Sequence, residues 1–316
     1  GKTFQTLYRI TPLPDSFVKG IAFGAHHNKR GHGSFLMGSY SGGGWWYYFP
    51  VAFLVKTPTA VLALLLLAIF LFVKYLPPVS RAEIVVLIPA LFVMATAVTS
   101  KINIGLRHIL ICYPVTYLLA GRIGALDWLN TSQRKRWAAI WASVLVLEVL
   151  SVSPHYLSFF NRLCGGPMKG IEYLSDSNID WGQDLNNLAK FLKKSGNPEL
   201  TLSYFGTAVP EYYDLKYQPL PTVWSYPKSM QTNSIDSAKE YLAVSVTNLQ
   251  GTYFGMHDLF GWLKTREPTA VIGYSIYVYD ITSDKESHDK MLEMYRLTGD
   301  LNRFLREAAR AKKISN

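Results

Sequence analysis

The stretch DSNIDWGQDL, Asp176–Leu185, sets three carboxylates, an asparagine, a glutamine and a tryptophan within ten positions. Such a run can handle a polar substrate, because carboxylates and amides accept and donate hydrogen bonds at fixed angles. It can also be a helix start: Ser177-x-x-Asp180 and Asp180-x-x-Gln183 resemble capping boxes, and the carboxylates suit a helix's positive end. Gly182 fits the helix poorly, since Gly in a first turn costs about 1 kcal/mol relative to Ala. A close neighbour or a ligand accounts for a glycine in such a place.

Cations gather elsewhere. Lys56 lies in YYFPVAFLVKTP, eight residues past Tyr48, so a helix beginning at Tyr48 carries it about 12 Å inward. An ionisable side chain inside an apolar helix is a functional candidate; the alternative is a lysine whose stem snorkels to the interface. Pro58 removes a backbone donor and is expected to kink the helix, freeing a carbonyl for a ligand or a neighbour. In INIGLRHILICYP, Arg107 can grip a phosphate with its planar fork, and His108 can donate or shuttle a proton near neutral pH. Entering a bilayer from one side, Lys56, Arg107 and His108 reach one depth, and three cations at one level suit a lipid phosphate.

The segment HHNKRGHGSFLMGSYSGGGWWYYFP holds His26, His27 and His32 at spacings that match no zinc pattern. It reads as a mobile loop hinged on Gly42–Gly44 that offers polar side chains, His32 among them, to a sugar. Trp45 and Trp46 read as interfacial anchors or as a stacking surface for a sugar, anchoring being the favoured reading. Cys112 and Cys164 form no CxxC and no Cys/His metal spacing.

These groups need a scaffold, and composition bounds it. The chain of 316 residues is 49% hydrophobic and 17% charged, which excludes a disordered protein and allows two domains. The net charge of +10 sits wholly in the first half: residues 1–152 carry 14 Lys and Arg against 4 Asp and Glu, residues 153–316 carry 18 against 18. That half also has the longest apolar runs, so its partner is membrane lipid and not nucleic acid. Four runs are predicted to span a bilayer: about 48–73, 83–99, 105–126 and 137–153. Arg134–Arg136 in TSQRKRW, and the loop with Lys74 and Arg81, stay cytoplasmic. The prediction is an extracytoplasmic segment 1–47, an α-helical membrane domain 48–153 in a plasma or inner membrane, and a small extracytoplasmic α/β domain 154–316. In that domain DLNNLAKFLKKSG is helical and ends at Gly196, ELTLSYFG, EYLAVSVTNL and TAVIGYSIYVYDI are β-rich, and MLEMYRLTGDLNRFLREAARAKK is a final basic amphipathic helix.

GWWYYFPVAFLVKTP, INIGLRHILICYP and YLSDSNIDWGQDL, in this order and spacing, resemble the C-terminal half of membrane glycosyltransferases of the protein-mannosyltransferase-like family (glycosyltransferase family 39-like) over about residues 12–190. The resemblance implies a C-type fold with many membrane helices, a polyprenyl-phosphate-linked sugar as donor, and a glycan, lipid or protein acceptor used at the outer face. It implies that the catalytic aspartate belongs to the first outer loop of an N-terminal half, so the chain is expected to be a fragment, and its own catalytic residue is unassigned. Transfer from a sugar phosphate needs a base for the acceptor and cations for the leaving phosphate. Lys56, Arg107 and His108 supply the cations; Asp176, Asn178, Asp180, Trp181, Gln183 and His32 then meet the sugar or acceptor hydroxyls. No cofactor is assigned, and a divalent metal is compatible with the reaction. A different class of reading is a non-enzymatic membrane-anchored protein whose outer α/β domain binds a partner or a polysaccharide.

Overall fold

The computed structural model describes residues 14–75, 78–126, 130–223 and 239–315, apart from the side chains at 73, 74 and 315. The Lys74 side chain and residues 1–13 of the expected outer segment lie outside the described residues. The chain divides into two compact units: Gly1–Glu148 with Asn161–Leu163, and Val149–Phe160 with Cys164–Asn316. The architecture is mixed, largely helical in the first unit and built on a small sheet in the second.

The first unit opens with helix α1, Asp15–Arg30, and an antiparallel hairpin of β1, Ser34–Leu36, and β2, Ser39–Ser41. The expected mobile loop is thus partly ordered by a two-residue turn in which Met37 and Gly38 both take positive φ, 48° and 83°, the twist a tight hairpin requires. Helices α2, Tyr48–Lys56, α3, Thr59–Tyr75, and α4, Arg81–Val98, follow. The single span expected over 48–73 is broken, with α2 and α3 bent by 113° across Thr57-Pro58. Pro58 cannot donate, and its ring obstructs a continuous helix. Helix α4 starts at a capping box in which Ser80 and Glu83 bond each other's backbone amides, and it runs through Pro89 without a break.

The expected third span is also corrected. It is not one continuous α-helix: it forms a 3-10 turn, Leu106–Ile109, a ten-residue helix α5, Cys112–Gly121, and a second 3-10 turn, Arg122–Ala125. Helix α6, Thr131–Leu150, is long enough, but its first turns hold Arg134, Lys135 and Arg136. Among the described residues one helix, Arg81–Val98, is long and apolar enough to cross a bilayer, with a mean hydropathy of 1.9; the bent pair Tyr48–Lys56 and Thr59–Phe72 makes a second if taken as one span.

The second unit contains helix α7, Leu185–Lys194, and a five-stranded sheet of β3, Glu199–Ser203, β4, Gln218–Pro219, β5, Glu240–Ser245, β6, Ala270–Ile272, and β7, Ile276–Asp280. Strand order is β4-β3-β5-β7-β6. β3 runs parallel to β4 and β5, and β7 is antiparallel to β5 and β6. Strand β5 is buried along its whole length, as a strand covered on both faces must be. Leu185, Leu188 and Leu192, one face of α7 at helical spacing, pack on Leu200, Leu202, Ile276 and Val278. Beyond Ser195, Gly196 takes φ +85°, ending the helix where expected.

The expected single C-terminal helix is two helices, α8, Lys285–Thr298, and α9, Leu301–Ser315. Gly299 adopts the left-handed conformation at the end of α8, and Asp300 accepts from the Arg303 amide to open α9, an end and a start that TGD encodes. The hairpin covers the sheet through buried charge. His288 lies between Glu307 and Glu240, and Arg310 reaches Glu240 at 2.5 Å and Glu199 at 3.5 Å.

Candidate functional site

In the first unit Lys56 sits at the corner between α2 and α3, and Arg107 and His108 lie towards the other end of α2. Helix α2 begins at Tyr48 as the sequence predicts and packs against the 3-10 turn Leu106–Ile109. Phe49, fully buried, meets the His108 ring edge-on at 5.9 Å. Arg107 and His108 are exposed, and Lys56 is 9% exposed. Lys56 lies seven residues beyond Phe49, about 10 Å along the helix axis, so the turn bearing Arg107 and His108 packs at one end of α2 and Lys56 occupies the other.

The corner itself is built by two residues from distant parts of the chain. Asn161 donates its side-chain amide to the Leu54 and Thr57 carbonyls at 2.6 and 2.9 Å, and its backbone amide to the Val55 carbonyl at 2.9 Å. The carbonyl freed by Pro58 is therefore taken by a neighbour. On the other side Glu148 accepts from the Thr59 amide and hydroxyl at 2.9 and 2.8 Å and from the Ala60 amide at 3.4 Å. A carboxylate on the first amides of α3 is favoured by the helix dipole and by charge-assisted hydrogen bonding. The charge that looks out of place in the apolar run 137–153 thus caps another helix.

His32 is half-buried and stacks on His27, ring centroids 5.2 Å apart. Burial first, and the nearby His27 second, push its pKa below the usual histidine value. Its amide donates to the Lys101 carbonyl, and Asn28 accepts from Ser100 and the Lys101 amide. The segment leading to Arg107 is therefore fastened to the histidines. Asn103 accepts from the Trp45 amide at 2.6 Å, and a Cβ on Gly44, at φ +69°, would fall on the Asn103 side chain. The Gly42–Gly44 run is pinned at its end by this approach.

In the second unit DSNIDWGQDL is not a helix start. Asp176–Asn178 forms a 3-10 turn, and α7 begins only at Leu185. Neither expected capping box forms. Asp180 is 0% exposed, accepting from the Gly182 amide at 3.1 Å and from the Thr247 amide, just past β5, at 3.4 Å. Burial pushes its carboxyl up to about 8, the two amides and Thr247 only partly offsetting this. Asp176, at φ +55°, accepts from the Tyr253 hydroxyl at 2.6 Å. Asn178 is buried and donates to the Ser175 carbonyl, while Gln183, exposed, accepts from the Trp181 amide and donates to the Ile179 carbonyl. Trp181 is 58% exposed.

Gly182 has a close neighbour. Its φ is +72°, the Tyr204 hydroxyl donates to its carbonyl at 2.7 Å, and a Cβ would meet that hydroxyl. The stretch is a loop folded around a buried carboxyl at the carboxyl ends of β3 and β5, with Trp181 and Gln183 as its exposed polar and aromatic members. Asp184, also buried, accepts from Ser275 and Asn187 and lies 3.6 Å from His155.

Sequence reasoning missed Asn161, Tyr253, and the pairing of Asp184 with Ser275 and His155. The one legible signal was that an asparagine and a histidine, Asn161 and His155, flank the short aromatic run between the last apolar segment and DSNIDWGQDL. Among the described residues no group of three or more His, Cys, Asp or Glu is placed to hold a metal ion. Comparison with family models, with curated proteins and with solved structures finds no match to this chain.

Proposed function

We propose that the chain is part of an integral membrane glycosyltransferase that moves a sugar from a polyprenyl-phosphate carrier to an acceptor on the extracytoplasmic face, with Lys56, Arg107 and His108 holding the carrier phosphate. The observation that carries this reading is the corner at Lys56–Pro58. Helices α3, α4 and α6 turn apolar side chains outward, with Phe70 78%, Phe92 67% and Leu147 68% exposed, and along α4 the buried residues are Ala90 and Ala97. Apolar surface of that extent favours lipid as the surrounding medium.

If α3 crosses the bilayer, the 113° bend lays α2 within about 23° of the membrane plane. Lys56 then stands at the top of α3 and not about 12 Å deep. An in-plane α2 keeps Lys56 at the same level as the Arg107–His108 turn packed against it, so a single phosphate layer is within reach of all three. With Arg134–Arg136 on the cytoplasmic side, as positive residues beside a span favour, the far end of α6, where Glu148 caps α3, is outer, and the corner with it. Trp181 and Gln183, exposed in the second unit, are assigned to sugar or acceptor hydroxyls.

Binding of polyprenyl phosphate to the full chain in detergent tests the proposal. Lys56→Ala and Arg107→Ala are expected to weaken it about tenfold each, and Arg107→Lys to recover only part, because an ammonium lacks the fork that grips two phosphate oxygens. Equal affinity for wild type and both alanine variants would remove the cations from the mechanism.

A further inference from the structure

Among the described residues of the second unit, cavities lie at opposite ends of the parallel strands. One, of about 540 Å³, opens at the amino ends and is lined by Lys190, Lys193 and Lys216 beside Pro198 and Glu199. The other, of about 370 Å³, opens at the carboxyl ends of β3 and β4, between Tyr204, Pro219–Thr222 and the turn joining α8 to α9. Open α/β sheets bind ligands in the crevice outside the carboxyl ends of their parallel strands, because there the strand-end loops converge with free backbone and side-chain groups.

We infer that this carboxyl-end crevice is a binding site for a neutral pyranose unit of a glycan. Its size suits a small ligand, being near the lower end of the range of small-molecule sites, roughly 300 to 1,000 Å³. Its lining is largely apolar, with Pro210, Pro219, Pro221 and the little-exposed Tyr204, Tyr217 and Tyr295, and an apolar wall suits the C–H face of a sugar ring. Its rim carries Thr222, Thr298, Asp300 and Arg303. Arg303 pairs with Asp300 in the first turn of α9, both side chains about a quarter exposed. The pair is neutral as a unit, yet the guanidinium has donors and the carboxylate lone pairs left over for vicinal hydroxyls. An anionic ligand gains nothing from a neutral pair; the lysine-lined cavity at the other end suits it better.

Thr222 is fixed by a buried network. Asn248, fully buried, donates to the Ser203 hydroxyl at 3.0 Å and to the Thr222 hydroxyl at 3.3 Å. Ser203 gives its own proton to the Pro221 carbonyl at 2.6 Å and Thr222 gives its proton to the Tyr204 carbonyl at 2.5 Å. Both hydroxyls can therefore only accept from Asn248, which fixes the orientation of its amide and leaves Oδ1 with no partner. This network holds Thr222 in place at the crevice, although Asn248 itself does not line it. The inference does not depend on sugar transfer or on a membrane, since its readout is binding by the second unit with no lipid-linked donor present.

The test is ligand-observed NMR on the full chain in detergent, with methyl α-mannopyranoside, methyl β-glucopyranoside and N-acetylglucosamine as probes and sorbitol as an open-chain polyol control. At least one ring sugar is expected to bind saturably and sorbitol not. Asp300→Asn keeps the helix cap, because Asn caps about as well as Asp, yet removes the carboxylate; it and Arg303→Lys are expected to weaken binding about tenfold, or about 1.4 kcal/mol, with an unchanged melting temperature. Thr298→Val keeps the shape and is expected to weaken it less. Lys193→Ala, in the other cavity, is expected to change nothing. Absence of saturable binding by every ring sugar overturns the inference, as does binding that survives Asp300→Asn, Arg303→Lys and Thr298→Val, or that is lost in Lys193→Ala instead.

Discussion

Replacing Asp180 by Asn turns the burial of this carboxyl into a measurable pH dependence. In the folded chain the carboxyl titrates near 8, against an ordinary value of 3.8. A group whose folded pKa is raised contributes its full stability below the unfolded pKa, and that contribution is lost as pH rises through the folded pKa. About four pKa units at 1.36 kcal/mol each set a ceiling of about 6 kcal/mol, of which about 4 kcal/mol falls between pH 5 and pH 8. Asn is neutral throughout, so Asp180→Asn removes this slope. It also has a fixed cost: Gly182 and Thr247 both donate to Asp180, and the amide nitrogen of Asn cannot accept from one of them, which costs about 1–3 kcal/mol. The variant is therefore expected to gain about 4 kcal/mol on the wild type between pH 5 and pH 8 and to melt above it at pH 8. At roughly 2–4 °C per kcal/mol for a unit of this size, the relative change is about 10 °C. Thermal unfolding of the full chain in detergent from pH 5 to pH 8 measures it. Other titrating groups in the unit cancel in the difference between wild type and variant. A difference that stays constant across this range, or that grows in favour of the wild type as pH rises, would refute the assignment of Asp180 as a buried, protonated carboxyl.

Three further outcomes follow from the same geometry. Gly182→Ala is expected to lower stability by more than about 1 kcal/mol, because φ +72° strains an alanine and its methyl would meet the Tyr204 hydroxyl; a stabilised variant in thermal unfolding would contradict the loop geometry. Glu148→Gln turns an NH2 towards one of the α3 amides it caps and is expected to cost about 1–2 kcal/mol, read from the midpoint of unfolding in detergent. His288 is held above its usual pKa: burial alone would lower it, but Glu307 and Glu240 outweigh that, so its contribution is full below pH 6.5 and declines as pH rises through the raised value. Burial also pushes the Glu240 carboxyl up to about 7, which acts in the same direction. Amide-exchange protection of α9, corrected for the intrinsic rate, is expected to fall between pH 6 and pH 9 in the wild type and to lose most of that dependence in His288→Gln.

What could be read from the sequence was whatever neighbours along the chain decide. The β character of EYLAVS, the leucine spacing of α7 and the glycine that ends it are local and appear where predicted, although the expected run EYLAVSVTNL leaves the strand after Ser245 for a helical turn over Val246–Gln250. The broken helix at Pro58 was half legible: proline guarantees a missing donor, but nothing local says that the break is a 113° corner and not a shallow kink. The single C-terminal helix was over-read because its apolar spacing continues through TGD, although glycine followed by a capping aspartate at Gly299-Asp300 is an end and a start in three residues. The capping boxes in DSNIDWGQDL were over-read for the opposite reason. Their spacing is right, yet the left-handed backbone of Asp176 and Gly182 breaks the helix that such boxes would open.

The unreadable part shares one physical cause: a buried polar group has to be satisfied, and the partner that satisfies it is chosen by the fold. Glu148 viewed alone is a costly charge in an apolar run, and Asn161 viewed alone is an ordinary loop residue. Brought to Thr57-Pro58 they form one device, in which Asn161 answers the carbonyls left by α2 and Glu148 answers the amides that open α3. Neither residue makes sense without the other, since a corner with only one side satisfied would still leave several backbone groups unpaired at roughly 1–3 kcal/mol each. The partners lie about ninety to a hundred positions from the proline, beyond any window of helical or strand period. The same holds for Asp180, whose amide partner Thr247 follows a strand 60 residues later. A charge or amide that disagrees with its local pattern is thus a pointer to a distant backbone break, and in this chain the most informative such pointer stands beside Lys56, the cation on which the phosphate-binding proposal turns.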